Sequence, residues 1–228
     1  MRYSDLGEQK ANRNAAPFTF LFSQYPPRFC ACPLHGTLPT GIPEIDELTG
    51  GGIPRATMTE VYGSTSSGRI SLMFSLLRQA TQQGECCALV DVQDTFDPQS
   101  AAAVGIQLAY VLWVRCGGNV EHALKAADLL IRAGGFGVVI MDLTGTPYRI
   151  SRRIPLTSWF RLRHGAGQSG AALIVTGQDI HASSCSRLQI ELRQERGIWS
   201  GKLLRGMVTV AGLRKRNQAS VASFHIVR

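Results

Sequence analysis

The chain has 228 residues, enough to bury the core of one globular domain. Apolar residues make up 44% and charged residues 18%, a balance that excludes an intrinsically disordered chain. The sequence has no apolar run of membrane-spanning length, and its polar start lacks the apolar core of a secretion signal, so we expect a cytoplasmic protein without membrane contact.

The positive charge is concentrated in the last third of the sequence. Residues 1–142 contain 10 Lys+Arg and 13 Asp+Glu, whereas residues 143–228 contain 14 and 3. The net charge of +8 therefore comes entirely from the second segment. Such asymmetry favours an anionic partner such as nucleic acid, and the alternative is a basic face that meets only solvent.

Residues 1–36 are polar and then interrupted by prolines, which predicts an irregular N-terminal arm before a core domain at 37–228. The arm holds Cys30, Cys32 and His35, residue types that bind zinc. No fourth ligand follows at a zinc-like spacing, so we predict no metal site. We expect all six cysteines to be thiols in a reducing cytosol.

The core alternates between apolar strands and helices. Strands are predicted at 57–62, 87–92, 111–114, 136–141 and 171–176. Helices are predicted at 68–83, 98–104 and 120–133, the last with Asn119 as its cap. This order predicts an α/β fold with a mostly parallel central sheet and helices on both faces. Alternating segments at 188–192, 207–211 and 221–227 predict an antiparallel C-terminal extension of the sheet.

Residues 63–70, GSTSSGRI, have the spacing of a phosphate loop, GxxxxGK[ST], between a strand and a helix. Small residues let the backbone wrap an anion, and the helix N-terminus points its N–H groups at that anion. Arg69 replaces the lysine, Ile70 replaces the magnesium-binding hydroxyl, and Ser71 comes one position late. A Gly/Ser turn without a ligand is the alternative interpretation.

Further segments give the chain a family resemblance. It resembles RecA recombinases over about 37–228, strongly as far as Gln178. The segments that carry the resemblance are 40–46, 50–55, 60–63, 87–91, 95–98, 139–142 and 173–178. The resemblance implies a RecA-like P-loop NTPase core. It assigns nucleotide or phosphate binding to Gly63, Ser66, Ser67, Gly68, Arg69, Ile70, Ser71, Asp97, Asp142 and Gln178.

The short core and the altered loop look most like the ImuA-type RecA homologues, which bacteria encode with mutagenic translesion polymerase cassettes. Two further positions depart from the recombinase pattern: Gln93 stands where the family has its catalytic glutamate, and Ser100 where it has the aromatic that stacks on adenine. With Arg69 and Ile70, these changes predict little or no ATP hydrolysis and no catalytic residue. ATP with Mg remains a weakly bound cofactor at most.

A basic stretch at 148–164 replaces the first DNA-binding loop of the recombinases, and 179–186 is what remains of the second. Arginines interleaved with aromatic residues suit single strands, with arginines on phosphates and rings under bases. The predicted DNA-binding residues are Arg149, Arg152, Arg153, Trp159, Arg161 and Arg163. The alternative is an amphipathic helix that places Trp159 and Phe160 in the core.

These patterns predict an accessory protein of DNA repair or damage-tolerant translesion synthesis, within an SOS-type response. Its expected partners are single-stranded DNA or a repair protein, namely RecA, a Y-family polymerase or a cassette partner, together with self-association. A DNA-stimulated ATPase and a regulatory RecA-fold protein not acting on DNA are the alternatives.

Overall fold

The computed structural model describes residues 19–21, 36–215 and 218–227. The helices are α1 Pro43–Thr49, α2 Arg69–Gln82, α3 Pro98–Ala103, α4 Val120–Ala133, α5 Tyr148–Ser151 and α6 Leu156–Ser169. The strands are β1 Thr19–Leu21, β2 Thr37–Leu38, β3 Ile53–Pro54, β4 Thr57–Gly63, β5 Cys87–Asp91, β6 Val111–Arg115, β7 Val138–Asp142, β8 Ala172–Gly177, β9 Leu188–Ser200, β10 Leu203–Lys215 and β11 Gln218–Val227.

Nine strands form one sheet in the order β1-β6-β5-β7-β8-β4-β9-β10-β11. The pairings from β6 through to β9 are parallel. Strands β10 and β11 continue the sheet in antiparallel fashion, and β2 pairs with β3 in a separate ribbon. The predicted α/β fold, with a mostly parallel sheet and an antiparallel C-terminal part, is confirmed.

The pairing of β9 corrects one detail of that prediction. The segment that begins at Leu188 was expected to join the sheet in antiparallel fashion, but it runs parallel to β4, with Leu188 opposite Thr59. The connection at 178–187 carries the chain back along the sheet before β9 begins. Strand β9 therefore enters the sheet running in the same direction as β4. The antiparallel pairing starts only with the β9–β10 hairpin.

Two apolar layers cover the sheet. Helices α4 and α6 pack on one face, and α1, α2 and α3 pack on the other. Strand β7 shows the alternation, because Val139 and Met141 lie in the first layer while Val138 and Ile140 lie in the second. The carboxyl ends of the parallel strands β4, β5, β7 and β8 therefore lie side by side at one end of the sheet.

Helix α4 forms for the local reasons read from the sequence. The Asn119 side chain accepts hydrogen bonds from the backbone N–H groups of Glu121 and His122 at 2.9 and 3.1 Å. Asp128 and Arg132, one turn apart, form an ion pair of 3.2 Å. The predicted cap is thus present, and the helix boundary at residue 120 follows from it.

The structure describes residues 19–21 and residue 36 of the predicted N-terminal arm. Residues 19–21 form β1, which pairs antiparallel with β6 at the sheet edge. The rest of 1–35, including Cys30, Cys32 and His35, lies outside the described residues. Among the helices of the described segments, none has the length and apolar character needed to cross a membrane.

Candidate functional site

The predicted phosphate loop connects β4 to α2. Ser66 and Gly68 have left-handed backbones, with φ of 61° and 93°. Glycine adopts such angles without steric strain. Gly63 lies so close to the carbonyl oxygen of Leu192 on β9 that a Cβ would clash with it. The turn therefore needs Gly68 for its backbone angle and Gly63 for the close approach of Leu192.

The main chain of this loop retains the shape of an anion cradle. The first N–H groups of any α-helix have no partners within that helix, and those of α2 face the loop. Ser67 is buried, and within the described part of the chain its Oγ has no hydrogen-bond partner. At the end of β8, Gln178 Nε2 donates to Thr65 Oγ1 over 3.4 Å, which ties the loop to the neighbouring strand. An anion could bind here through backbone and hydroxyl groups.

Arg69 points into the molecule. Its side chain belongs to a residue that is 7% exposed, and its Nη1 donates to Thr144 Oγ1 over 2.7 Å. Burial lowers the pKa of the Arg69 guanidinium, an effect that the charge of Asp142 opposes. The positive charge is therefore held at the end of β7 rather than in the turn of the loop.

Asp142, the last residue of β7, is the buried acid of this site. In the sheet it lies opposite Asp91 on one side and Thr176 on the other. Its Oδ1 accepts the Thr144 N–H at 2.9 Å. Burial raises the pKa of Asp142, and the Thr144 hydrogen bonds and Arg69 partly offset this rise. Asp142 and Arg69 thus form one coupled polar cluster below the loop.

Ile70 lies outside that cluster and is 52% exposed. It lines a cavity of about 660 Å³ together with three predicted nucleotide-binding residues, Ser71, Asp97 and Asp142. Ser100, at the position of the family's adenine-stacking aromatic, also lines this cavity. The remaining lining is largely apolar and includes Met73, Phe74, Phe96, Ala103, Val104 and Ile226. The structure therefore brings these site residues together around an apolar side chain, at the position where the phosphate-loop motif has a magnesium-binding hydroxyl.

Asp97 has a local structural task. Its carboxylate accepts the backbone N–H groups of Gln99 and Ser100, each at 3.1 Å, and the Ser100 hydroxyl. These bonds, first among them the one from the Ser100 side chain, lower the pKa of Asp97. Asp97 is the N-cap of α3 and positions the wall of the cavity. Gln93 does not line this cavity and lies beside Gly145.

The C-terminal strands reach the loop, which the sequence did not predict. A Cβ on Gly68 would lie 2.7 Å from Ile226 Cδ1 and 3.0 Å from Thr209 Oγ1. Strands β10 and β11 therefore cover the start of α2. The main chain fits an anion, whereas Ile70 and Ile226 do not fit a magnesium-bound nucleoside triphosphate, because neither offers oxygen to the metal.

The predicted DNA-binding residues divide between different surfaces. Arg149, Arg152 and Arg153 are exposed at α5 and just after it. Trp159 is 1% exposed and packs in the core, so it cannot stack on a base. Arg161 Nε lies 3.3 Å from Asp128 Oδ1 on α4. Arg163 is on the other side of α6 and lines a separate groove.

Comparison with known proteins gives partial matches. Residues 35–147 match the family model of the RecA N-terminal domain. Protein RecA of Methylococcus capsulatus is 39% identical over 106 residues, 46% of this chain and 30% of that protein. Protein RecA of Deinococcus radiodurans is 38% identical over 104 residues, 45% of this chain and 28% of that protein.

Protein RecA of Treponema denticola is 35% identical over 106 residues, 46% of this chain and 25% of that protein. The matched region thus spans less than a third of each of these relatives. The matches support a RecA-like family, in agreement with the α/β fold.

Proposed function

We propose that this chain is a RecA-like accessory protein of DNA repair or recombination, with a nucleotide site that hydrolyses little or no ATP. The observation that carries the proposal is the position of Arg69. Its side chain is buried and hydrogen-bonded to Thr144, although the loop keeps its strand-to-helix turn. The fold is retained as a scaffold while the side chains that act on phosphate are redirected.

Phosphoryl transfer depends almost entirely on positioning and on stabilising charge around the transferred group. Three losses act on that requirement at once. Arg69 is held at Thr144, Ile70 supplies no hydroxyl to a metal, and Gln93 cannot accept a proton. Because each loss weakens transition-state stabilisation separately, their effects on rate multiply unless another group compensates.

The chemistry of the partner follows from the charge and from the relatives. The basic last third favours an anionic partner, and the matched relatives are RecA proteins, so we propose single-stranded DNA or a repair protein as the partner. The resemblance to ImuA-type homologues supports a more specific role in damage-tolerant synthesis beside a Y-family polymerase. Self-association, as in RecA-like proteins, belongs to the same proposal.

A DNA-stimulated ATPase is the second candidate. One observation favours it, because Gln178, the match to the family's phosphate-sensing glutamine, contacts Thr65 of the loop. Release of inorganic phosphate from ATP with magnesium, with and without single-stranded DNA, separates the two candidates. Asp142→Asn is the matched control, since it removes the acid at the end of β7 and reports contaminating activity.

We expect the wild-type protein and the Asp142→Asn variant to show the same background. Sustained DNA-dependent turnover in the wild type, absent from the variant, would overturn the accessory proposal in favour of the ATPase.

A further inference from the structure

We propose that a groove beside α6, remote from the phosphate loop, binds single-stranded nucleic acid. This basic groove is defined by Phe160, Arg163, His164, Arg187 and Arg214 and has a volume of about 1270 Å³. The inference rests on the proposed function in DNA repair and places its nucleic-acid contact on a specific surface. It shares only Arg163 with the DNA-binding residues expected from the sequence, and its aromatic residue is Phe160 instead of the buried Trp159.

The first wall of the groove is one face of α6. Phe160, Arg163, His164 and Gly167 recur at spacings of three and four residues and therefore share a helix face. Trp159, Leu162 and Ala166 form the adjacent, buried face against the core that contains α4. Packing thus leaves Phe160 47% exposed, with its ring available beside Arg163 and His164.

The second wall is the connection 183–187, which a buried carboxylate holds in place. Glu60, on β4, accepts the backbone N–H groups of His181 and Ala182 and, through its other oxygen, Gln189 Nε2 at 3.1 Å. The Arg187 N–H donates to the carbonyl of Met58 at 2.9 Å. These anchors fix the backbone, so the exposed Ser183, Ser184 and Arg187 side chains stand on a preorganised wall.

Arg214 on β10 supplies the third cation. Its neighbour Leu213 is buried in the apolar layer on the other face of the sheet. Alternation along the strand therefore turns Arg214 towards the groove. Among the residues that the structure describes, the lining includes three arginines, one histidine and three serines but no Asp or Glu. A neighbouring groove that shares Arg214 differs, because Asp179 and Glu191 line it.

This combination matches the chemistry of an unpaired strand. Arginine binds phosphate through two parallel hydrogen bonds, and serine hydroxyls add neutral contacts to phosphate oxygens. An exposed aromatic ring inside a basic groove offers a stacking platform that a base can use only when it is not stacked in a duplex. Arg163, Arg187 and Arg214 would contact phosphates, and Phe160 would stack on a base. An acidic or phosphorylated peptide would use the arginines but not the ring.

The test measures fluorescence anisotropy of labelled oligothymidylate with the full chain across a series of salt concentrations. The groove variant is Arg163→Ala, Arg187→Ala and Arg214→Ala together. Its matched control is Arg149→Ala, Arg152→Ala and Arg153→Ala, which removes the same charge from an exposed surface at α5. Because three phosphate contacts are lost, the groove variant should bind at least tenfold more weakly, with a salt slope reduced by about 2.

The control should retain the wild-type slope and most of the affinity. Phe160→Ala should weaken binding by about fivefold or more without changing the salt slope, because stacking is independent of salt. Phe160→Trp keeps an aromatic ring and should retain wild-type binding. Circular dichroism of each variant confirms the fold, which these exposed substitutions should leave intact.

The outcomes separate the groove from the wider proposal. If the wild type binds but the groove and control variants weaken equally, the contact is diffuse and the groove inference is wrong, while a role on DNA stands. If Phe160→Ala has no effect and a phosphopeptide competes equally, the groove serves a protein and the inference is also wrong. If the wild type binds neither single-stranded DNA nor RNA, the DNA-acting function itself fails.

Discussion

Arg69 Nη1 donates a hydrogen bond to Thr144 Oγ1 over 2.7 Å and so joins the first residue of α2 to the turn after β7. The contact holds a guanidinium below the phosphate loop, next to the buried Asp142. In a phosphate loop the basic residue has to reach the outer phosphates of the nucleotide. Here the same position stabilises the fold.

Removing the Thr144 hydroxyl should destabilise the protein. Thr144→Val leaves a buried guanidinium without its hydrogen-bond acceptor, which should lower the free energy of unfolding by about 1–3 kcal/mol. Thr144→Ser keeps the acceptor and is the matched control. Urea denaturation of the three proteins measures the difference. Equal stability of Thr144→Val and the wild type would contradict a structural role for the Arg69 contact.

Restoring the family side chains should restore nucleotide binding. The variant carries Arg69→Lys, Ile70→Thr, Gln93→Glu and Ser100→Tyr together. Because Ile70 is 52% exposed, the threonine displaces little packing and should leave the variant folded. We expect magnesium-dependent ATP binding by calorimetry, with little turnover.

The control for this experiment carries the same changes except Ile70→Thr, and it should bind ATP more weakly because the metal lacks a hydroxyl ligand. If the variant with all four substitutions folds stably but does not bind ATP, the backbone itself closes the site. Ile226 and Thr209, packed at Gly68, would be the cause, and the chain would be an interaction module alone.

Stability should fall in mildly acidic solution because of His181. Burial lowers the pKa of His181 below its ordinary value of 6.5, although Glu60 and Asp179 oppose the shift. Between the lowered pKa and 6.5 the unfolded chain binds a proton that the folded chain does not, so stability is lost as the pH falls through this window.

His181→Asn should flatten that loss, measured as the urea midpoint at a series of pH values from neutral to mildly acidic. His164→Asn, at an exposed histidine of α6, is the matched control and should keep the wild-type pH dependence. A His181→Asn profile that still falls like the wild type would assign the loss to other groups.

Removing one partner of the buried ion pair between Arg55 and Glu85, at the other end of the parallel strands from the phosphate loop, should destabilise the protein. Arg55 Nη2 lies 2.6 Å from Glu85 Oε1, and Arg55 Nη1 donates to Glu85 Oε2 at 3.0 Å. Glu85→Gln leaves the guanidinium without a counter-charge in a buried position, which should cost about 3 kcal/mol. Arg193→Gln, which breaks an exposed pair with Glu191, should change stability by less than about 1 kcal/mol.

A second substitution checks the geometry of that pair. Gly137 lies so close to Glu85 Oε2 that a Cβ would clash with it. Gly137→Ala should therefore destabilise the wild type, and it should cost less in a Glu85→Ala background, where the clash is removed. Additive effects of the two changes in denaturation experiments would show that the side chains do not meet.

The sequence by itself determined strands β4 to β8, helices α2 to α4 and their order along the chain. Alternating apolar strands and helices predicted the parallel sheet, Asn119 predicted the start of α4, and the glycines of 63–68 predicted the strand-to-helix turn. These features depend on backbone preferences and on the spacing of apolar residues, which neighbours in sequence set.

Only the tertiary structure decided which side chains face each other. Trp159 and Phe160 are adjacent on one helix, and packing against α4 buried the first and exposed the second. The direction of Arg69 depended on Thr144, which lies 75 residues away in sequence. The basic groove joins α6, the connection 183–187 and Arg214, segments that no local pattern brings together. Long side chains turn towards whichever partners the fold places beside them, so their roles follow from long-range packing rather than from spacing along the chain.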